Sequence, residues 1–302
     1  MSAAPRIVTD LPSLPPRDPR THKAQCGRVV IVAGSRGMSG AAALAGLGAL
    51  RAGAGLVRVC CPSSIAPIIA AGEPCLMTQP LPEHDGRLCA TADPQLADSL
   101  DWADAIAIGP GLGASNGDDD LAHTIEFVLK RNKPIVADAD ALNAVAAAKA
   151  GWLRSGAPTV ITPHPGEMRR LADALGISIA DGVDDKTRIA TATTCAERLG
   201  CVVLLKGHRT VVSDAKRAFV CAAGNAGMAT GGMGDVLTGV IAALIGQGLA
   251  AFDAARLGAH LHATAADQLA RTLAPVGYLA REVADAIPQA RAQFDTPRMG
   301  FK

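Results

Sequence analysis

Short runs of β-branched and apolar residues alternate along this chain with alanine-rich stretches of helical period, and this alternation is the pattern of a parallel sheet covered by helices. Strands are predicted at Arg28 to Ala33, Leu56 to Cys60, Ala105 to Ile108, Pro134 to Ala137, Thr159 to Thr162, Val202 to Lys206 and Thr210 to Ser213. Helices are predicted at Gly40 to Ala52, Leu121 to Arg131, Ala141 to Ala150, Gly166 to Leu175, Lys186 to Leu199, Asp235 to Gln247 and Phe252 to Leu273. Most strands end in turns rich in glycine, proline, Asp or His. Ligands of open α/β sheets bind beyond the carboxyl ends of the strands, so these turns are where chemistry is expected. The 302 residues show no internal repeat, and one α/β domain over 21–302 accounts for them.

Charge and composition narrow the function. Lys and Arg number 29 against 28 Asp and Glu, so no net field gathers nucleic acid or an acidic membrane surface. Aromatic residues make up 3% of the chain, which also argues against a base-stacking platform. The eight cysteines form no Cys-x-x-Cys pair and read as small buried hydrophobes of a reducing compartment. Met1 to Arg20 holds five prolines among charged residues and no apolar core, the composition of a flexible tail rather than a signal peptide or anchor. The longest apolar stretch, Val236 to Phe252, is broken by Gly246-Gln247-Gly248, so a buried helix is expected instead of a membrane span. A cytoplasmic protein is the expectation.

The strongest chemical signal is the run Gly224-Asn225-Ala226-Gly227-Met228-Ala229-Thr230-Gly231-Gly232-Met233-Gly234-Asp235. It delivers an aspartate to the start of an apolar helix. Free amide N–H groups at such a start form an anion hole, here of Gly231, Gly232, Met233 and Gly234. A carboxylate beside that hole repels a phosphate unless it accepts a proton from a hydroxyl attacking the phosphate, the role expected of Asp235. Asp235 read as a plain helix-start residue complementing the dipole is the alternative.

Other strand ends add to this. Gly34-Ser35-Arg36-Gly37-Met38-Ser39-Gly40-Ala41 and Gly109-Pro110-Gly111-Leu112-Gly113 place bare backbone at the same sheet edge, as an extended ligand requires. Asp138 and Asp140 follow the fourth strand, where they suit a metal or its water shell, or Asp140 caps the next helix. Two prolines hold His164 in Thr162-Pro163-His164-Pro165-Gly166-Glu167, as a ligand contact or a structural histidine. Glu167 suits a Mg²⁺-bound water or a helix start. Lys206-Gly207-His208-Arg209-Thr210 combines a cation and a hydroxyl fit for a nucleotide, or is a hairpin turn with an exposed lysine. No Gly-x-x-x-x-Gly-Lys-Ser/Thr run exists, so phosphate binding falls to the Gly231 to Asp235 turn.

In this order the motifs resemble the ADP-dependent NAD(P)H-hydrate dehydratase family of the ribokinase-like superfamily. The resemblance covers about residues 21 to 290, from His22-Lys23 through Arg51 to Val57 and the motifs above. His164 to Glu167 and the Asn225 to Asp235 run are its most specific parts. The resemblance implies a mainly parallel sheet flanked by helices on both faces. It implies that the S epimer of NADHX or NADPHX loses water as ADP becomes AMP and phosphate, with Mg²⁺ present and ATP an alternative to ADP. It also implies hydrate binding near Ala41, Gly113, His164 and Asp235, and ADP along Lys206, Gly207, His208, Arg209 and Thr210 to Gly234. A homotetramer is implied as well.

Two features depart from the family's common pattern. Met233 stands where a small hydroxyl residue is frequent, which leaves only its backbone N–H for phosphate. About 20 residues precede the match, too few for the epimerase domain that some relatives fuse, so a separate NAD(P)H-hydrate epimerase is the expected partner. Two rivals share the anion hole: a kinase of a hydroxymethyl vitamin precursor, and a noncatalytic nucleotide sensor.

Overall fold

The computed structural model describes residues 4–14, 16–113, 119–149 and 156–294. In chain order the described elements begin β1 (Arg6–Ile7), β2 (Arg28–Val32), α1 (Ser39–Arg51), β3 (Leu56–Pro62), α2 (Ala66–Gly72) and β4 (Met77–Leu81). A small hairpin follows, β5 (Glu83–His84) and β6 (Arg87–Leu88), then α3 (Asp93–Trp102), β7 (Ala105–Ile108) and α4 (Asp119–Leu129). The centre of the chain supplies β8 (Ile135–Ala137), α5 (Ala139–Ala148), β9 (Thr159–Ile161), α6 (Pro165–Ala174) and α7 (Asp185–Leu199). It ends in β10 (Val202–Leu205), β11 (Val211–Ser213), β12 (Arg217–Val220), α8 (Met233–Gly246), α9 (Ala251–Thr272) and α10 (Ala280–Arg291).

Ten strands form one sheet in the order β1-β12-β11-β10-β9-β8-β7-β2-β3-β4. The run from β10 to β4 is parallel throughout, while β11 is antiparallel to both β10 and β12. Parallel strands need long crossovers, and the helices that make them cover both faces. Alternation along each strand sorts its side chains: Val29, Ile31, Ala105 and Ala107 face a core shared with α1, α8, α9 and α10. Val30, Val32, Ile106 and Ile108 face the second core, under α3 to α7.

The placement of α8 depends on glycine. A Cβ on Gly239 would lie 1.8 Å from the Ala45 carbonyl oxygen of α1, and one on Gly48 would lie 2.4 Å from the Val236 carbonyl oxygen. The two helices therefore meet backbone to backbone, at a distance no side chain allows.

The seven predicted strands and seven predicted helices are present, with ends that move by one or two residues; Ala150, at one predicted helix end, lies outside the described residues. Others were not anticipated. Pro80 masks β4, which tolerates it as a sheet edge. Pro288 lies inside α10, and α3 is polar enough to read as a loop. The N-terminal segment needs correction. Expected as a flexible tail, it instead pairs Arg6 and Ile7 with Arg217 and Ala218 of β12, and buries Val8 and Leu14 in the first core. Two apolar residues spaced among prolines suffice to dock an extended segment without any periodic signal. Residues 1–3 and 15 lie outside the described residues.

Candidate functional site

The parallel strands end at one edge, and backbone hydrogen bonds carry the ladder past them. The N–H of Gly109 donates to Val32 O, that of Asp138 to Ile108 O, that of Thr162 to Ala137 O, and that of Lys206 to Pro163 O. Residues distant in sequence are thus set side by side. Between the two aspartates that follow β8, Ala139 takes a left-handed φ of 47°, a conformation costly for a residue with a Cβ. It sends the aspartates different ways. Asp140 Oδ2 accepts the Gly113 N–H at 2.8 Å, tying α5 to the turn after β7. Asp140 is therefore not the helix cap; Asp138 occupies that position.

Asp138 is buried, and both its oxygens are engaged. Oδ1 accepts from Lys206 Nζ at 2.7 Å and Oδ2 from the Thr238 hydroxyl of α8 at 2.8 Å. Lys206 Nζ also stands 3.8 Å from Glu167 Oε2. Burial opposes the charge of Lys206, yet Asp138 and Glu167 hold its ammonium above the ordinary lysine pKa. The cation thus faces two carboxylates and forms an electrostatic centre at the strand ends. Glu167 Oε2 accepts the His164 N–H at 2.7 Å, and His164 Nδ1 accepts from the amides of Gly166 and Glu167 at 3.0 and 3.3 Å. The two residues form a reciprocal cap on α6. His164 is nevertheless exposed, with its ring at the mouth of a cavity.

Gly232 caps α8 with a φ of 89°, and a Cβ there would lie 2.6 Å from Leu44 Cδ1. The first bond closing the helix runs from the Val236 N–H to Gly232 O, so the amides of Met233, Gly234 and Asp235 precede the helical ladder. Asp235 lies in this first turn, partly buried. Burial, then the negative charge of Asp138 and that of Asp140, pushes its carboxyl up to about 7, against the pull of Lys206. A carboxyl of that pKa is matched to accepting a proton at neutral pH.

A cavity of about 550 Å³ opens beside it. Lys206, Gly207, His208, Arg209, Thr210 and Gly234, the expected nucleotide contacts, all line it. Several of their polar groups are already engaged: the Thr210 hydroxyl donates to Gly207 O and the Arg209 guanidinium pairs with Asp185. Met233 also lines the cavity, its side chain buried. Ala41 and Gly113 gather on the other side of the strand ends. A Cβ on Gly111 would lie 2.8 Å from the Ala41 Cβ, and the Gly113 N–H is held by Asp140.

Some residues that build the site carried little signal in sequence. Buried Arg188 donates to the carbonyl oxygens of Leu205, Lys206 and Arg209 at 3.0, 3.1 and 3.1 Å, and to that of His208, fixing the Lys206 to Thr210 turn from beneath. An arginine on a helix reads as a surface charge until the loop it holds is known. Asn225 donates to Asp267 Oδ1 at 2.8 Å and accepts from the Tyr278 hydroxyl, while Asp267 Oδ2 accepts the Gly224 N–H at 2.9 Å. These bonds hold the cavity wall. Asn225 was legible within its glycine run, but Asp267 and Tyr278 were not.

Among the described residues no three His, Cys, Asp or Glu side chains converge to hold a metal ion by themselves. Asp138 accepts one bond on each oxygen and Glu167 holds its cap, which leaves each carboxylate lone pairs for a metal-bound water. The arrangement fits Mg²⁺ only as that ion is usually bound, through phosphate oxygens and water with few protein ligands. Among the described residues no helix is long and apolar enough to cross a membrane.

A family model described as NAD(P)H-hydrate dehydratase matches residues 29–289. The chain is 44% identical over 272 residues to the bifunctional NAD(P)H-hydrate repair enzyme of Escherichia coli (strain K12), covering 89% of this chain and 48% of that one. It is 42% identical over 277 residues to the enzyme of that name from Moorella thermoacetica, covering 91% and 51%. It thus spans about half the length of the curated relatives it matches. A solved structure of an ADP/ATP-dependent NAD(P)H-hydrate dehydratase from Bacillus subtilis, co-crystallised with ATP and Mg²⁺, superposes with a TM-score of 0.77 at 30% identity, covering 94% of this chain and 95% of that one.

Proposed function

This chain belongs to the NAD(P)H-hydrate dehydratase family, with a ribokinase-like fold, and on that premise we propose that it dehydrates the S epimer of NADHX or NADPHX at the expense of ADP. The observation that carries the reading is Asp235, a carboxyl with its pKa near neutrality, placed in the first turn of α8 beside unbonded amides and a nucleotide-sized cavity.

Hydroxide is a poor leaving group, and phosphorylation of the ring hydroxyl overcomes this. The hydroxyl oxygen attacks the β-phosphorus of ADP, the bond to the bridging oxygen breaks, and AMP departs. Asp235 takes the hydroxyl proton, while the amides of Met233 and Gly234 face the charge on the transferred group. The electron pair of the ring nitrogen then expels phosphate, and loss of a ring proton restores the dihydronicotinamide. Bound Mg²⁺ would neutralise phosphate charge, and Glu167 and Asp138 would hold its water shell.

The hydrate lies toward Ala41, Gly113 and His164, and ADP along Lys206 to Thr210. Lys206 contributes to phosphate binding as part of its ion pair with Asp138. The enzyme acts on the S epimer alone, so it is linked to an epimerase activity that interconverts the two forms. ADP is the expected donor, with ATP an alternative, and the assembly is a homotetramer, which sedimentation would test.

Incubation with freshly prepared NADHX, Mg²⁺ and ADP or ATP should give the absorbance of the reduced nicotinamide, with AMP and phosphate as products when ADP is used. A folded sample that produces no absorbance with either nucleotide would refute the activity. In parallel calorimetry, Lys206→Ala should weaken ADP binding more than hydrate binding; equal losses would reassign that turn.

A further inference from the structure

The turn from Lys206 to Thr210 lies between a buried guanidinium and the cavity. Arg188 of α7 is 7% exposed and forms no part of the cavity wall, whereas Lys206, Gly207, His208, Arg209 and Thr210 all line it. From beneath, Arg188 Nη2 donates to the carbonyl oxygens of Leu205 and Lys206, and Nη1 to those of His208 and Arg209. A trans peptide unit is planar, so each N–H points opposite to the carbonyl that precedes it. Drawing those carbonyls toward Arg188 therefore turns the amides of Gly207, Arg209 and Thr210 away from it, to the cavity side. None of these three N–H groups has a hydrogen-bond partner among the described residues. The turn holds a costly shape, with Gly207 at a φ of 138° and Arg209 at 54°. A Cβ on Gly207 would lie 3.1 Å from Arg188 Nη2, so the guanidinium packs directly against the turn. Its charge is also uncompensated. Among the described residues no carboxylate forms an ion pair with Arg188, and Asp185, whose charge favours it, is bound to Arg209 instead. A buried cation in that state favours an anion placed nearby.

We propose that Arg188 is a positioning residue for the nucleotide, holding the turn so that the amides of Gly207, Arg209 and Thr210 form a nest for the α-phosphate of ADP, which becomes the phosphate of AMP. This rests on the nucleotide site assigned above. The β-phosphate then falls to the amides at the start of α8, and the bridging bond that breaks lies between two anion sites. As that bond breaks, negative charge gathers on the departing α-phosphate, where the nest meets it.

Calorimetry with AMP and with adenosine, on wild type and on Arg188→Ala, tests this. Wild type should favour AMP by about 10-fold or more, the scale of hydrogen bonds to a charged group. Arg188→Ala should lose most of that preference while keeping its adenosine affinity within a few-fold. Guanidinium ion, added well below the concentration that unfolds the protein, should restore AMP binding to Arg188→Ala, and sodium ion at equal ionic strength should not. In ¹⁵N-labelled wild type, the assigned amide signals of Gly207, Arg209 and Thr210 should shift with AMP and by less with adenosine. This measurement decides the matter if the variant does not fold. Equal binding of AMP and adenosine by wild type, an unchanged preference in folded Arg188→Ala, or amide shifts no larger with AMP would each overturn the assignment while leaving the dehydratase reading intact. Failure of wild type to bind either ligand would remove the nucleotide site itself.

Discussion

Asp235 carries opposite demands at the scale of one residue. The burial and neighbouring carboxylates that raise its pKa from 3.8 to about 7 make it a base suited to neutral pH, and they also make its ionised form unfavourable in the folded chain. In the unfolded chain it ionises near pH 4, so the folded state binds more protons between pH 4 and 7 and stability falls as pH rises through that window. The loss is on the order of 4 kcal/mol once pH exceeds 7, from a shift of about three units at ~1.4 kcal/mol each. Asp235→Asn should therefore lower turnover by roughly 10² or more, with ADP affinity within a few-fold of the parent. Urea unfolding should show the variant more stable than the parent at pH 8 and equal to it below pH 4. Turnover close to the parent's would reduce Asp235 to a helix-start residue. The glycine run made Asp235 legible, whereas the raised pKa was not, because Asp138 and Asp140 arrive from a different strand end.

Among the elements, α8 matters most, since it aims the anion hole. It is held by close contact with α1 at Gly239 and Gly48. Gly239→Ala would drive a methyl group into the Ala45 carbonyl and force the helices apart, at a cost of about 2–4 kcal/mol. Gly231→Ala meets nothing within 4 Å and should leave stability within about 0.5 kcal/mol of wild type. Thermal denaturation of the two variants separates helix packing from glycine content; equal effects would show that α8 is not held by close approach. Sequence pattern identified both helices from their apolar period. It could not distinguish a glycine that packs from a glycine that turns, because that depends on what lies opposite.

Over the whole molecule, the first and last segments of the described residues meet at the first core. Leu14 is buried, its N–H donates to Phe294 O, and the guanidinium of Arg256 reaches the Asp10 carbonyl. Leu14→Ala should cost about 2–4 kcal/mol in urea unfolding, whereas a loose tail would make the substitution silent. The sequence by itself determined the parallel α/β architecture, the strand ends as the place of chemistry, and Asp235 at a glycine turn, because these depend on local periodicity and on backbone freedom read over a few residues. Only the tertiary structure decided that Lys206 faces Asp138 and Glu167, that Asp140 holds Gly113 instead of capping its helix, and that Arg188 fixes the turn at the cavity. Those pairings join residues far apart in the chain, and a charged side chain carries no local mark of the partner that the sheet order will set beside it.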